Sequence, residues 1–268
     1  MSRRAGTSFA DVTPASSANL ACLKPVCLDD LNDAAALQTR RDRKYLIPET
    51  ELSWLVDRLS CDAVALEISG RRSFQYESVY FDTPSLQSYL AAARGRPHRI
   101  KVRTRTYMDS GRCALEVKQR DGRGRTVKHR TDYPSERRRE LDERGQSFVD
   151  SIVGPGRVSS DLRPVLTTRY SRSTLLLLRS NSRVTIDTNL RWSSADGAVI
   201  RLTKVVLLET KSEGRPSIAD RLLWSRQHRP ITISKYATGM AAFDPALPAN
   251  KWNRVLREHF GWAPSRIA

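Results

Sequence analysis

The stretch HRIKVRTRTY, residues 98–107, reads as a β-strand. Val102, Thr104 and Thr106 are β-branched and alternate with Lys101, Arg103, Arg105 and Tyr107. Side chains two apart on a strand share a face. One face of this strand therefore carries the cations Lys101, Arg103 and Arg105 in a row. Such a face needs a negative counterpart, and the neighbouring segments indicate where it lies.

The same alternation recurs along the chain. In LEVK (115–118), Leu115 and Val117 share one face and Glu116 and Lys118 the other. VKHR (127–130) aligns Lys128 with Arg130, and RVTID (183–187) aligns Arg183, Thr185 and Asp187. LLETK (207–211) pairs Glu209 with Lys211, RRDRKYLI (40–47) pairs Asp42 with Lys44, and RYSR (169–172) pairs Tyr170 with Arg172. The wet face of an antiparallel sheet also carries charge. That plain reading predicts a free mixture of Ser, Thr, Gln, Lys and Glu. Here Arg and Lys dominate, with isolated acids beside them, while Val102, Leu115, Val117 and Val184 make the opposite faces apolar. A sheet curled with its charged face inward forms a polar tunnel without exposed edges. A polyanion together with a divalent metal would fill it.

The totals agree with an acidic partner. The chain has 268 residues, a formal net charge of +17 and a pI near 10.3. A balance that basic suits a nucleic acid, a polyphosphate, a nucleotide or an anionic surface. Cys22, Cys27, Cys61 and Cys113 form no CxxC pair, and the histidines show no zinc spacing, so the thiols read as idle groups in a reducing compartment. No apolar run reaches membrane-spanning length and no signal-peptide core is present, which predicts a cytoplasmic protein. No Gly-rich phosphate loop follows a strand, and no helix-turn-helix or zinc finger is visible, which argues against Rossmann and P-loop folds and against specific DNA binding.

The element pattern predicts residues 1–26 as a loose arm and 27–262 as a single domain. Helices are expected over 28–38, 48–59, 85–94, 135–153, 216–228 and 249–260. Strands are expected over 39–47, 62–69, 74–82, 98–107, 112–120, 125–133, 163–178, 182–190 and 198–212, with ITISKY (231–236) short and extended. Consecutive strands with inserted helices predict an α+β fold built on an antiparallel sheet or barrel.

In order, DRKYLI, SVYFDT, KVRTRTY, LEVK, VKHR, RYSR, RVTIDT, LLETK and ISKY resemble the VTC domain, the polyphosphate polymerase module of the vacuolar transporter chaperone family. That family sits within the triphosphate tunnel metalloenzyme, or CYTH-like, superfamily. The resemblance implies an eight-stranded antiparallel β-barrel tunnel with flanking helices, ATP or another nucleoside triphosphate bound inside, inorganic polyphosphate as second substrate, and Mn²⁺ or Mg²⁺ as cofactor. It implies catalytic roles for Lys44, Arg103, Arg105, Tyr170 and Arg172. It implies phosphate contacts at Lys118, Lys128, Arg183, Lys211, Ser234 and Lys235, and metal ligation by Glu209, then Glu116. Where the superfamily often places two glutamates before the first lysine, this chain has Arg40 and Asp42, which favours the VTC branch over the CYTH branch.

Phosphoryl transfer asks mainly for positioning and charge stabilisation. Arg grips two phosphate oxygens at once, Lys acts as a point charge, and Mg²⁺ takes one or two carboxylates plus phosphate oxygens. A phosphate nucleophile is already ionised at neutral pH, whereas water must be oriented or deprotonated. His129 should face away from Lys128, which favours transfer over hydrolysis. Two other readings remain: a triphosphate hydrolase, and a non-catalytic polyanion-binding module. At single positions, Asp187 could pair with Arg183, Glu209 could pair with Lys211, Tyr170 could be core, and Arg130 and Arg169 could be solvated.

Overall fold

A computed structural model describes residues 20–34, 41–122, 125–154 and 159–263. In chain order the strands are β1 (Lys24–Val26), β2 (Arg41–Pro48), β3 (Ala63–Leu66), β4 (Phe74–Asp82), β5 (Arg99–Tyr107), β6 (Cys113–Arg120), β7 (Thr126–Asp132), β8 (Arg163–Leu177), β9 (Ser182–Ser194), β10 (Val199–Arg201) and β11 (Val205–Ser212). The helices are α1 (Leu28–Ala34), α2 (Glu51–Leu59), α3 (Gln87–Ala93), α4 (Glu143–Val153), α5 (Ile218–Ser225), α6 (Lys235–Phe243) and α7 (Asn253–Phe260). The fold is α+β, built on one large sheet.

That sheet has 11 strands, and its main path runs β2-β11-β9-β8-β4-β5-β6-β7, with β1, β3 and β10 at its side. Every neighbour pair on the path is antiparallel; β1 with β3 is a parallel pair. The closed eight-stranded barrel expected above is not what the ladder forms, because no pairing joins β2 to β7 among the described residues. At β2 the free edge is taken by a loop instead. The Ile231 N–H donates to the Lys44 carbonyl at 2.8 Å, and the Lys44 ammonium donates to the Ile233 carbonyl at 3.2 Å.

Each strand turns its apolar alternate residues outward, where helices cover them. Tyr45, Ile47, Val184, Ile186, Val206 and Leu208 pack with α2 and α5. Val102, Leu115 and Val117 pack with Val149 of α4. A third core lies on the concave side at one end, where Tyr80, Leu166, Trp192 and Leu207 meet Tyr236 and Ala237 of α6 and Leu256 of α7. That end is thus plugged by helices rather than by strands.

Several expectations shift. ITISKY is still extended at Ser234 but not to its end: Ser234 accepts from the Ala237 N–H at 3.2 Å, so Lys235 opens α6. The segment 198–212 is two strands, because Lys204 adopts φ 63 and breaks the run. Within 135–153 the helix starts only at Glu143, where Asp142 caps it by accepting from Gly145 N–H at 2.9 Å. At the N-terminal side, Leu20 and Leu23 are buried and β1 is paired, so residues 20–26 belong to the folded body rather than to a loose arm. Residues 1–19 and Arg40 lie outside the described residues.

The plug sits tightly. A Cβ at Gly239 of α6 would come within 2.7 Å of Trp192 Nε1 and 2.9 Å of Leu166 Cδ2. Trp192 is fully buried and donates its indole N–H to the Lys235 carbonyl at 2.7 Å, so it has nowhere to retreat. Gly239→Ala should therefore destabilise the fold by about 1–3 kcal/mol. Thermal unfolding should show a midpoint several degrees lower; an unchanged midpoint would mean the plug is loosely packed.

Candidate functional site

Antiparallel register brings the charged alternates onto the concave face, because residues directly opposite share a face. Lys44 faces Glu209, and Asp42 faces Lys211. Glu209 and Lys211 face Thr185 and Arg183 across β9. Arg172 faces Asp187, Tyr170 faces Tyr76, and Ser78 faces both Thr168 and Arg105. Arg103 faces Glu116, which faces Arg130, and Lys118 faces both Lys101 and Lys128. His129 lies opposite Val117, on the other face.

Curling brings distant strands across from one another. Lys118 on β6 feels the charges of Glu209 and Lys211 on β11, and Lys101 on β5 feels Lys44 on β2. Ser234 and Lys235 enter the same space from the start of α6. The Lys101 ammonium donates to Ser234 Oγ at 3.2 Å, and Lys235 bonds Asp187. All thirteen residues expected from the family pattern thus meet on one concave surface, with Arg183 and Lys128 toward its rim.

Within it, acids and bases form tight pairs. Arg103 grips Glu116 at 2.9 and 2.6 Å and donates to Tyr80 OH at 3.2 Å, while Lys128 stands 3.5 Å from the other Glu116 oxygen. Arg172 holds Asp187 at 2.6 and 2.8 Å. Asp187 therefore pairs with Arg172 and Lys235, not with Arg183, whose guanidinium donates to the Leu31 carbonyl of α1 at 3.0 Å. Glu209 does bond Lys211, which also lies 3.4 Å from Asp42.

Other polar groups in the lumen are unspent. Arg105 makes no hydrogen bond or ion pair among the described residues and rests over the Tyr76 ring at 5.6 Å. The hydroxyls of Ser78, Thr168, Tyr170 and Thr185 are buried without partners. Tyr170 is 3% exposed and stacks on Tyr76 with ring centroids 5.4 Å apart, so it is buried and lumen-facing at once. Buried donors without acceptors are costly unless a ligand supplies them.

The electrostatics lean the same way. Burial alone would raise the Glu116 carboxyl, but Arg103, Arg105 and Lys128 hold it well below the usual range. Burial is likewise outweighed at Asp187, which Arg172 and Lys235 pull to about 2, and at Glu209, held low by Lys44 and Lys211. Tyr170 is lowered despite burial because Arg105, Arg172 and Lys235 surround it. The amines move the other way. Burial, then neighbouring cations, lowers Lys44, Lys101 and Lys128, with Lys118 at about 7. Lys118 still meets water in the lumen, so screening tempers its shift. The acids stay charged while the amines resist charge: the lumen is short of negative charge.

Among the described residues, no group of three His, Cys, Asp or Glu side chains could hold a metal ion. An all-protein cage does not fit this donor set. A hard cation bound by one carboxylate and completed by phosphate oxygens and water does fit it. Glu209, half-buried and directly opposite Lys44, is the carboxylate placed for that; Glu116 already has Arg103 and Lys128 on its two oxygens.

A family model described as the VTC domain matches residues 39–244. The chain belongs to the VTC domain family. No curated protein matches the sequence. Among solved structures, a candidate adenylyl cyclase from Hippeastrum, described as having a dominant triphosphatase activity, aligns with TM-score 0.50 and 15% identity over 76% of this chain and 96% of its own. A candidate adenylate cyclase from Bacillus halodurans aligns with TM-score 0.48 and 14% identity over 72% of this chain and 92% of its own. The first likeness shows that this VTC domain shares the fold of that protein. No helix among the described residues is long and apolar enough to cross a membrane.

Sequence reading of this VTC domain left out Tyr76, Tyr80 and the hydroxyls of Ser78 and Thr168, though the alternation in YESVY (76–80) already puts Tyr76, Ser78 and Tyr80 on one face. Arg130 is exposed, as the plain reading had it. Arg169 is not simply solvated: with Arg138 it clamps the buried Glu77 on the outer face, at 2.6 and 2.7 Å.

Lys118 gives a pH test. In the ligand-free protein the Lys118 ammonium, pushed down to about 7, gives up its proton as pH rises past neutral, and a bound triphosphate should restore it, so binding takes up protons and affinity from this group falls as pH rises. Calorimetry at pH 8 in buffers of different ionisation enthalpy should show proton uptake that drops, by up to about one proton, in Lys118→Met. Equal uptake in both proteins would rule out a lowered Lys118.

Proposed function

We propose that this VTC domain is a metal-dependent phosphotransferase that moves the terminal phosphate of a nucleoside triphosphate, such as ATP, onto an inorganic polyphosphate chain. The observation that carries this reading is the set of unspent donors around Tyr170. Arg105, which makes no ion pair, and the partnerless hydroxyls of Ser78, Thr168 and Tyr170 lie on β5, β4 and β8, the strands that join the Arg103–Glu116 pair to the Arg172–Asp187 pair. That arrangement suits several phosphate groups at once. In this reading the curled sheet and the 229–234 segment act together as the tunnel.

The roles follow from chemistry. Arg103, Arg105 and Arg172, each planar and able to bond two oxygens, grip the reacting phosphoryl group, and Lys44 adds a point charge. Tyr170 donates its hydroxyl to an equatorial oxygen. Lys118, Lys128, Arg183, Lys211, Ser234 and Lys235 hold the flanking phosphates. Bound Mn²⁺ or Mg²⁺ supplies neutralisation of phosphate charge, with Glu209 as its protein ligand and Glu116 as the next candidate. In the transfer, a terminal phosphate oxygen of the chain forms a bond to the γ-phosphorus. The bond from that phosphorus to the β-phosphate bridging oxygen breaks, and a nucleoside diphosphate leaves. The nucleophile is ionised from the start, so the lumen needs no general base.

Purified protein incubated with ATP and Mn²⁺ should yield long-chain polyphosphate, resolved on a gel. Free phosphate without polymer would instead identify a triphosphate hydrolase, and binding without turnover a polyanion-binding module. Glu209→Gln should lower turnover by about 100-fold or more. Polyphosphate binding should be equal or tighter, since a negative charge leaves the lumen. Unaltered turnover in that variant would remove Glu209 from the site.

A further inference from the structure

Beyond the reacting centre, the cationic row continues toward the helix-plugged end. On β5 the alternation runs Arg105, Arg103, Lys101, Arg99, and on β6 it runs Glu116, Lys118, Arg120. Arg99 and Arg120 stand directly opposite one another in the ladder. Like charges so placed repel. A third cation joins them from the 250–252 turn: Lys251 lies along Gly95, close enough that a Cβ there would sit 3.1 Å from its ammonium, which donates to the Ala92 carbonyl at 2.6 Å.

Arg99, Arg120 and Lys251 make no ion pair among the described residues, and no carboxylate weighs on the titration of Arg99 or Lys251. Burial and mutual repulsion lower both. Elsewhere on this wall each acid is matched to a base, as in Arg103–Glu116. Here cations from β5, β6 and the 250–252 turn converge and no acid answers them. That is the electrostatic form of an anion site awaiting its ligand.

Resting on the function proposed above, we infer that Arg99, Arg120 and Lys251 form a second phosphate subsite, which holds the far part of a polyphosphate chain whose reacting end lies at Arg103 and Arg172. Arg103 and Arg99 are four residue steps apart, about 13 Å of β-strand. A triphosphate anchored at Arg103 ends short of that distance, and a longer chain does not. The subsite therefore selects for chain length, and it has no part in gripping the nucleotide triphosphate.

The test compares inorganic tripolyphosphate with long-chain polyphosphate as probes, by calorimetry at two salt concentrations. The double variant Arg99→Gln/Arg120→Gln and the single variant Lys251→Gln should weaken long-chain binding, the double variant by about tenfold or more, and reduce its salt slope by about one per cation removed. Tripolyphosphate affinity should stay within about twofold. Arg179→Gln, at a distant cation 83% exposed, serves as the control and should change neither. Equal losses for both probes, or no loss for the long chain, overturn the subsite. If wild-type protein makes no polymer from ATP and Mn²⁺ but shows this length-dependent pattern, the phosphotransferase reading fails and the subsite stands. If polymer forms while the variants bind and elongate like wild type, the subsite fails and the phosphotransferase reading stands.

Discussion

Charge crowded onto one concave face is the constraint from which the rest of this structure follows. Strand alternation sends Lys44, Lys101, Arg103, Arg105, Lys118, Arg172 and Lys211 the same way, and curling turns that way inward. Taking cations of one sign out of bulk water is expensive unless each meets an anion. Glu116, Asp187 and Glu209 answer only part of the charge. The remainder shows in the lysines, whose affinity for protons drops, and in Arg105, which rests over a tyrosine ring and makes no ion pair. The fold holds this arrangement because its stability comes from the opposite side of the strands.

Outward apolar residues and inward charges are two halves of one sequence pattern. Val102, Leu115 and Val117 bury against α4, while Tyr45, Ile47, Val184 and Val206 bury beneath α2 and α5. Shifting any of these strands by one residue would exchange the two sets, so the register that packs the helices also aims the arginines. Packing and ligand binding are thereby specified together, and the hydrophobic layer supplies the energy that keeps the polar layer in place.

Much of the wall was legible in the sequence because period-two alternation is a local property. Residues such as Glu209 and Lys211 announce their shared face without knowledge of their partners. What was not legible depended on contacts far apart in sequence. Whether β2 meets β7 is decided by the 229–234 loop, whose Ile231 N–H takes the Lys44 carbonyl. ITISKY looks extended throughout, yet Ser234 caps α6 and the last two residues, Lys235 and Tyr236, are helical. Asp187 does not reach Arg183, four residues and about 13 Å along the same strand; the register of β8, which shifts between Arg169 and Ser171, sets Arg172 opposite it instead. Trp192 and Leu166 on the concave face had no signal of their own, because only the inserted helix makes an apolar patch there sensible.

One side of the lumen's narrow end is not a strand at all. It is the first turn of α6, fastened to the wall by Trp192 at the Lys235 carbonyl and by Tyr236 at the buried Asp82. The eight long strands fix the bore, and this separate piece, whose Ser234 meets Lys101 between Arg103 and Arg99, sets the width of the passage between them. Lengthening, shortening or tilting one helix would therefore change what passes along the cationic row without disturbing a single rung of the ladder. Architecture of that kind lets one chemical centre be reused for substrates of different size by altering only its gatepost.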